Sequence, residues 1–322
     1  MITRKKSSES RLLATASLAL MFVGCIAPSA QMSWQSPLFQ DHELVGKIWL
    51  SEQDRFVTRA ELTSLLEQNP LLLLGEKHDN ADHHRLRLEL LQTLLLPADQ
   101  SLVVLEMMQR SQQDRLDALA TDDSPFEDTT LATRLAWDTD GWPWEFYGPA
   151  VTLALQRGAS LRAGNIDSRD VMQIYSDSDD SNTQVLNGEQ LAQLERDIDS
   201  SHCGLLPPSQ FPAMVRVQQA RDQQMANVLM SDINMFDQGI LLAGNYHIRH
   251  DLGVPNYLGE SSPGRPLSVA FLEVDPDYTD PEDYLQQFSQ QNAYDVIWFT
   301  PALRQDDYCA EMSAAREQQA PS

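Results

Sequence analysis

Glu76 and His78 stand two residues apart in Gly75-Glu76-Lys77-His78-Asp79-Asn80, and His247 closes a second short motif, Gly244-Asn245-Tyr246-His247. A carboxylate and an imidazole at this spacing can offer a metal one hard oxygen and one ring nitrogen, with His247 as a third ligand. Each motif directly follows a run that reads as a buried strand, Leu71-Leu72-Leu73-Leu74 and Ile240-Leu241-Leu242-Ala243. In an open parallel sheet, residues just past the carboxyl ends of the strands meet in one crevice. Glu76, His78, Asn245 and His247 are therefore expected to share a pocket. Glu106, in Val104-Leu105-Glu106-Met107, and Asn165, in Ala163-Gly164-Asn165-Ile166, end two further apolar runs and bring the polar rim to four strands. The competing expectation is that these groups only satisfy one another's hydrogen bonds around strand termini.

A second concentration of chemistry lies in Trp137-Asp138-Thr139-Asp140-Gly141-Trp142-Pro143-Trp144-Glu145-Phe146-Tyr147, five aromatic residues in a chain only 7% aromatic. Flat apolar rings beside a phenol suit a planar ligand, and tyrosinate is an axial ligand type of haem iron. Such a cluster also serves as core or as a dimer interface. His83 and His84 follow the first motif closely enough to lean over it, although histidines so placed are mostly solvated. Arg221 and Asp222 either pair on the surface of a helix, the default for adjacent opposite charges, or one of them turns into the crevice.

The elements that must position these residues are legible as an alternation. Apolar or β-rich runs recur at Leu71–Leu74, Leu102–Leu105, Leu161–Ile166, Ile240–Ala243, Val269–Val274 and Val296–Phe299, separated by stretches long enough for helices. The fold class this implies is α/β, a parallel sheet flanked by helices, with a smaller helical domain. Asp79 or Asn80 can cap a helix carrying Leu86, Leu90 and Leu94 on one stripe before Pro97 ends it. Helix-rich sections at 109–157 and 187–237, the latter broken at Leu205-Leu206-Pro207-Pro208, are the candidates for the helical lobe. The Ser/Asp cluster at 176–181 reads as a loop without the glycine and terminal glutamate of an EF-hand.

The N-terminus carries Arg4, Lys5, Lys6 and Arg11 and then an apolar stretch from Leu12 to Val23, too short to span a bilayer comfortably, which is the pattern of an export signal. It ends in Phe22-Val23-Gly24-Cys25, similar to a lipoprotein box, so Cys25 is the expected lipid attachment site. The expected order is a signal peptide at 1–24, a tether at 25–40, the α/β domain at 41–305 and a tail at 306–322. Removing residues 1–24, with four basic residues and Glu9, takes the formal charge from −24 to −27. That charge repels nucleic acid along most of the surface, so no nucleic-acid partner is expected. Cys203 and Cys309 would remain in a compartment that permits disulfides, where closing a long loop contributes about 4 kcal/mol; the sequence does not show that they meet.

These pieces together resemble the ChaN family of haem-binding, iron-regulated bacterial lipoproteins. The resemblance rests on Gly75–Asn80 with His84, the Trp-rich run ending at Tyr147, His202-Cys203-Gly204, Gln218 to Ala226 with Arg221-Asp222, and Gly244–His247 followed by Arg249, Asp251–Pro255 and Tyr257-Leu258. It implies haem iron as the cofactor, a homodimer holding two haems face to face, a tyrosine ligand and propionates held by a histidine and a lysine. Tyr147 is the best match for the ligand, His202 for the histidine and Lys77 for the lysine, with arginines such as Arg249 offsetting the general negative charge. It further implies attachment to the outer membrane facing the periplasm, haem or iron acquisition and service to an outer-membrane haem receptor. The same glycine-histidine motifs are similar to a wider superfamily of proposed metalloproteases and esterases. In that alternative zinc or manganese sits at Glu76, His78, His247 and Glu106, and one of the glutamates acts as base in a metal-dependent hydrolysis. A scaffold without ligand is the third reading.

Overall fold

A computed structural model of the chain describes residues 33–304 and Cys309, apart from 97–99, 122–125, 127, 177–184, 261, 287 and 289–292. The expected signal peptide, Cys25, most of the Ser/Asp cluster and the tail at 306–322 apart from Cys309 lie outside the described residues. Trp34–Ser322 form one compact unit, and the two helix-rich sections lie within it.

The chain begins with a short antiparallel hairpin, β1 (Ile48–Leu50) and β2 (Arg55–Val57). Helix α1 (Arg59–Glu67) follows, opened by a capping box in which Thr58 and Glu61 satisfy each other's backbone N–H. The parallel strands are β3 (Leu71–Leu74), β4 (Ser101–Gln109), β5 (Ser160–Asn165), β6 (Gln238–Leu242), β7 (Leu267–Glu273) and β8 (Val296–Thr300). Their order is β2-β1-β8-β7-β3-β6-β4-β5, with β1 antiparallel to β8 and every pair from β8 to β5 parallel. The six expected strands are all present. The hairpin was not anticipated because three-residue strands hold too little pattern to show a period of two.

The helices between them are α2 (Ala81–Leu94), α3 (Gln113–Ala120), α4 (Asp128–Arg134), α5 (Trp144–Gln156), α6 (Ser168–Ser176), α7 (Gly188–Ser201) and α8 (Phe211–Asp232). Helix α2 starts at Asn80, whose side chain accepts from the N–H groups of Asp82 and His83, and buries Leu86, Leu90 and Leu94 as the stripe requires. One face of the sheet, carrying Leu71, Leu73, Leu102, Val104 and Leu241, shares a core with Leu194 and Ile198 of α7 and Met225 and Leu229 of α8. Leu72, Leu74, Val103, Leu105 and Ile240, which alternate with them, are equally buried. Burial on both faces explains why these strands read as unbroken apolar runs rather than as alternating ones.

Cys203 and Cys309 form a disulfide across a sequence separation of 106 residues, tying the turn after α7 to the C-terminal end of the described chain. No described helix is long and apolar enough to cross a membrane.

Candidate functional site

Strands β3 and β6 are neighbours, with Leu74 opposite Leu242, so the two glycine motifs leave the sheet side by side. They interlock through the backbone, Asn245 N–H donating to the Glu76 carbonyl at 2.8 Å. Glycine is required at 75 for space: a Cβ there would lie 2.2 Å from Asn245 Oδ1. Asn245 in turn spans to β7, its Nδ2 donating to the Phe271 carbonyl at 2.7 Å and its Oδ1 accepting from the Phe271 N–H. At 244 a Cβ would come within 2.8 Å of the His78 ring, so the second glycine lets His78 lie against the second motif.

Around this junction the structure gathers the four predicted residues Glu76, His78, Glu106 and His247. Glu76 is buried, and His78 Nδ1 donates to its Oε1 at 2.6 Å. Burial works against a charge on His78, but the bond and the charge of Glu76 outweigh it and hold the imidazole above its ordinary pKa. Glu106 accepts from the Gly244 N–H at 2.7 Å and lies 3.2 Å from His247 Nε2. The other ring nitrogen of His247 donates to Asp222 at 2.5 Å. With a carboxylate on each nitrogen the ring donates twice, which only the imidazolium can do. Burial again opposes the charge, yet Glu106 and Asp222 together raise His247 to about 10. Burial would raise Glu106, but His247 pulls it well below the carboxylate range, while burial lifts Asp222 to about 6 against the same attraction.

Asp222 corrects the sequence expectation. It is 2% exposed and faces His247 instead of forming a surface pair with Arg221. His83 and His84 likewise are buried rather than solvated. His83 accepts from the Lys77 N–H at 2.9 Å and bonds Thr300 Oγ1 at 2.8 Å, while His84 bonds the His78 carbonyl and stacks on Phe146 with ring centres 4.8 Å apart. Burial and the nearby Arg87 charge lower His84 to about 4, so it holds the loop as a neutral ring. Asn165 donates to the Glu106 carbonyl and accepts from the Ile166 N–H, a strand-end role.

Beside the junction lies a cavity of about 580 Å³, within the range of about 300–1,000 Å³ usual for small-molecule sites. One wall is built from a single face of each of two helices. Leu194, Asp197, Ile198, Ser201 and His202 descend α7 and its last turn, and Met214, Val217, Gln218, Arg221 and Asp222 run along α8, both at spacings of three and four residues. The opposite wall is Glu76, Lys77, His78, Asn245, Tyr246, His247 and Phe271 to Glu273, with Phe288 and Tyr294 closing one side. His78 and His247 thus face one cavity, as the sheet topology required. The α7 and α8 wall was missed from sequence, although the repeat of apolar and polar residues at i, i+3, i+4, i+7 on both helices was its visible signal.

The other sequence candidates are placed unevenly. His202 lines the cavity, its Nδ1 held at 2.7 Å by the Ile198 carbonyl. Lys77 lines it too, with its ammonium 2.8 Å from Glu273. Arg249 is fully buried: Nε and Nη2 go to Asp251, Nη1 to Asp197 at 2.6 Å, and the guanidinium packs against Phe288 and Tyr246, two rings of the wall. Tyr147 is 1% exposed, and its hydroxyl faces Glu76 Oε1 at 3.4 Å and His78 Nδ1 at 3.5 Å beneath Trp142 and His84. Burial, reinforced by the Glu76 charge, pushes its phenol far above the ordinary tyrosine range. Tyr246, by contrast, lines the cavity and is 53% exposed. Among the described residues no group of three or more His, Cys, Asp or Glu side chains is arranged to hold a metal ion. The carboxylates and imidazoles are spent on one another, and nothing in the site supports the zinc or manganese alternative.

A family described as haem-binding uptake, Tiki superfamily, ChaN, matches residues 62–258, which include both glycine motifs, α7 and α8. The chain belongs to this family. Haem is the ligand of the ChaN family, and haem binding and uptake is the function to which membership points. In structure the chain is similar to ChaN of Campylobacter jejuni with cofacial haem, at 22% identity and a TM-score of 0.66 over 78% of this chain and 95% of that one. The ChaN fold is thus shared across nearly the whole relative. Looser likenesses are to an erythromycin esterase mutant in its open conformation, at 12% identity and a TM-score of 0.45 over 81% of this chain and 99% of that chain. The type III effector HopBA1 is similar at 12% identity and a TM-score of 0.40, covering 75% and 92%. No curated protein matches in sequence.

Proposed function

We propose that this ChaN-family chain is a lipid-anchored, periplasm-facing haem carrier that holds haem in the cavity between the glycine motifs and the α7 and α8 wall. The observation that carries the reading is that cavity itself: Leu194, Ile198, Val217, Leu252, Phe271 and Phe288 supply apolar walls, and imidazoles and cations stand among them. Apolar walls shelter a macrocycle from water, and the few polar groups orient it.

The residues that would hold the group are Tyr246, His202 and Lys77. Tyr246 is the iron-ligand candidate best supported by geometry, since it combines a place on the wall with a half-exposed phenol; Tyr147 would first have to leave Glu76 and its aromatic cover. Haem, when bound, would supply an iron that accepts a hard anionic oxygen such as that of a tyrosinate. The chain's own part is to bind, orient and screen the group, with His247 held cationic by Glu106 and Asp222 and His78 shifted towards its charged form by Glu76. A homodimer with two haems face to face, and hand-over to an outer-membrane haem receptor, are part of the same proposal and rest on the family resemblance.

The test is an absorption titration of the purified full-length chain with haemin. Saturable growth of a shifted Soret band is expected, and a spectrum equal to haemin in buffer would sink the reading. For the anchor, Cys25→Ala should move the protein from the membrane to the soluble periplasmic fraction.

A further inference from the structure

Among the described residues that line the cavity, Arg221 is the one charged group without a hydrogen bond or ion pair. Every neighbouring carboxylate is already engaged: Asp197 with Arg249 at 2.6 Å, Asp222 with His247 at 2.5 Å, Glu273 with Lys77 at 2.8 Å and Glu76 with His78 at 2.6 Å. Lys77, the other cation on the wall, is thus compensated from within the protein. Arg221 is half-buried on the cavity face of α8, one turn beyond Gln218 and directly before the buried Asp222. A partly desolvated charge is costly unless paired, and a guanidinium fork matches a carboxylate in bidentate geometry.

We propose that Arg221 is the carboxylate receptor of the cavity, taking one carboxylate arm of the bound tetrapyrrole and so selecting ligands that carry free acid groups. The inference rests on the haem reading above, and it adds a residue of the α8 wall to His202 and Lys77. The Arg221 charge attracts the adjacent Asp222, but the hydrogen bond of Asp222 is to His247, so replacing Arg221 orphans no buried hydrogen-bond partner.

The experiment compares haemin with haemin dimethyl ester, in which both acid arms are blocked, on the full-length wild type, Arg221→Gln and Arg221→Lys. Loss of one charge-assisted hydrogen-bonded contact corresponds to about 10- to 100-fold in affinity. The wild type should therefore prefer the diacid by at least about tenfold, Arg221→Gln should lose about tenfold of that preference and keep only what His202 and Lys77 supply, and Arg221→Lys should fall between, since an ammonium keeps the charge but not the fork. Thermal melting of each variant is read alongside, and an unchanged midpoint is expected for Arg221→Gln. A wild type that binds both forms equally overturns the proposal, as does an Arg221→Gln protein that keeps the full preference for the diacid. If Arg221→Gln does not fold, the wild-type comparison and the Arg221→Lys variant still decide. A wild type that binds neither form sinks the haem reading itself, an outcome distinct from the two that overturn only the role of Arg221.

Discussion

His247 on the turn after β6 and Asp222 on α8, 25 residues apart in sequence, are joined by a hydrogen bond of 2.5 Å between buried side chains. Glu106 closes the other nitrogen from β4. The row of Asp222, His247 and Glu106 pins the helical wall of the cavity to the sheet, with one imidazolium held by a carboxylate on each ring nitrogen.

Breaking a buried pair by removing one partner costs about 3–5 kcal/mol, and without Asp222 the buried Nδ1–H of His247 loses its carboxylate acceptor. Asp222→Ala should therefore lower the denaturant midpoint by an amount of that order. A change below about 1 kcal/mol would show that the row is not a structural clamp.

The same row sets a pH dependence. His247 is raised in the fold from 6.5 to about 10, so its contribution is fully present below pH 6.5 and is lost as pH rises towards 10. Melting temperature should fall between pH 7 and pH 10 in the wild type, and the slope should flatten in His247→Gln. Parallel curves for the two proteins would exclude His247 as the source.

The disulfide makes a separate prediction. A cross-link closing a loop of this length stabilises by about 4–5 kcal/mol in the chain-entropy account. Cys203→Ser should lose stability of that order, and reductant should destabilise the wild type while leaving Cys203→Ser unchanged. His202 is the next residue, so haemin affinity measured in the same variant reports whether the turn must be tied to shape the cavity lip.

Gly75→Ala tests the interlock of the two motifs. Its new methyl would meet Asn245 Oδ1 at 2.2 Å and force apart the bonds to Phe271, an overpacking cost of about 1–3 kcal/mol. Gly188→Ala, at the start of α7 with nothing within 4 Å, is the control and should be neutral or slightly stabilising. Equal effects of the two substitutions would contradict this account.

The two tyrosines separate by spectroscopy. In the haemin complex Tyr246→Phe should abolish the tyrosinate signature and Tyr147→Phe should keep it. The reverse result would mean that Tyr147 leaves Glu76 when the ligand enters.

The six parallel strands were legible because burial on both faces leaves no room for polar residues, so Leu71–Leu74 and Ile240–Leu242 announce themselves as apolar runs. That His78 and His247 share one cavity followed from the same logic, since both motifs leave carboxyl ends of strands in a parallel sheet. Asp222, His83 and His84 were misjudged because a polar residue on a helix looks the same in sequence whether it faces water or a buried partner. The partner is what decides, and His247 and Thr300, bonded to Asp222 and His83, are 25 and 217 residues away.

Local chemistry along the chain was enough to determine the strands, a cap for α2 at Asp79 or Asn80 and the family, because each depends on residues within a few positions or on a pattern in linear order. Only the tertiary structure decided that Cys203 meets Cys309, that Arg249 is locked between Asp197 and Asp251, and that Tyr246 rather than Tyr147 opens onto the cavity. Those outcomes are set by which distant carboxylate, ring or thiol packs within a few ångströms, and electrostatics and burial act over that distance, not over separation along the chain.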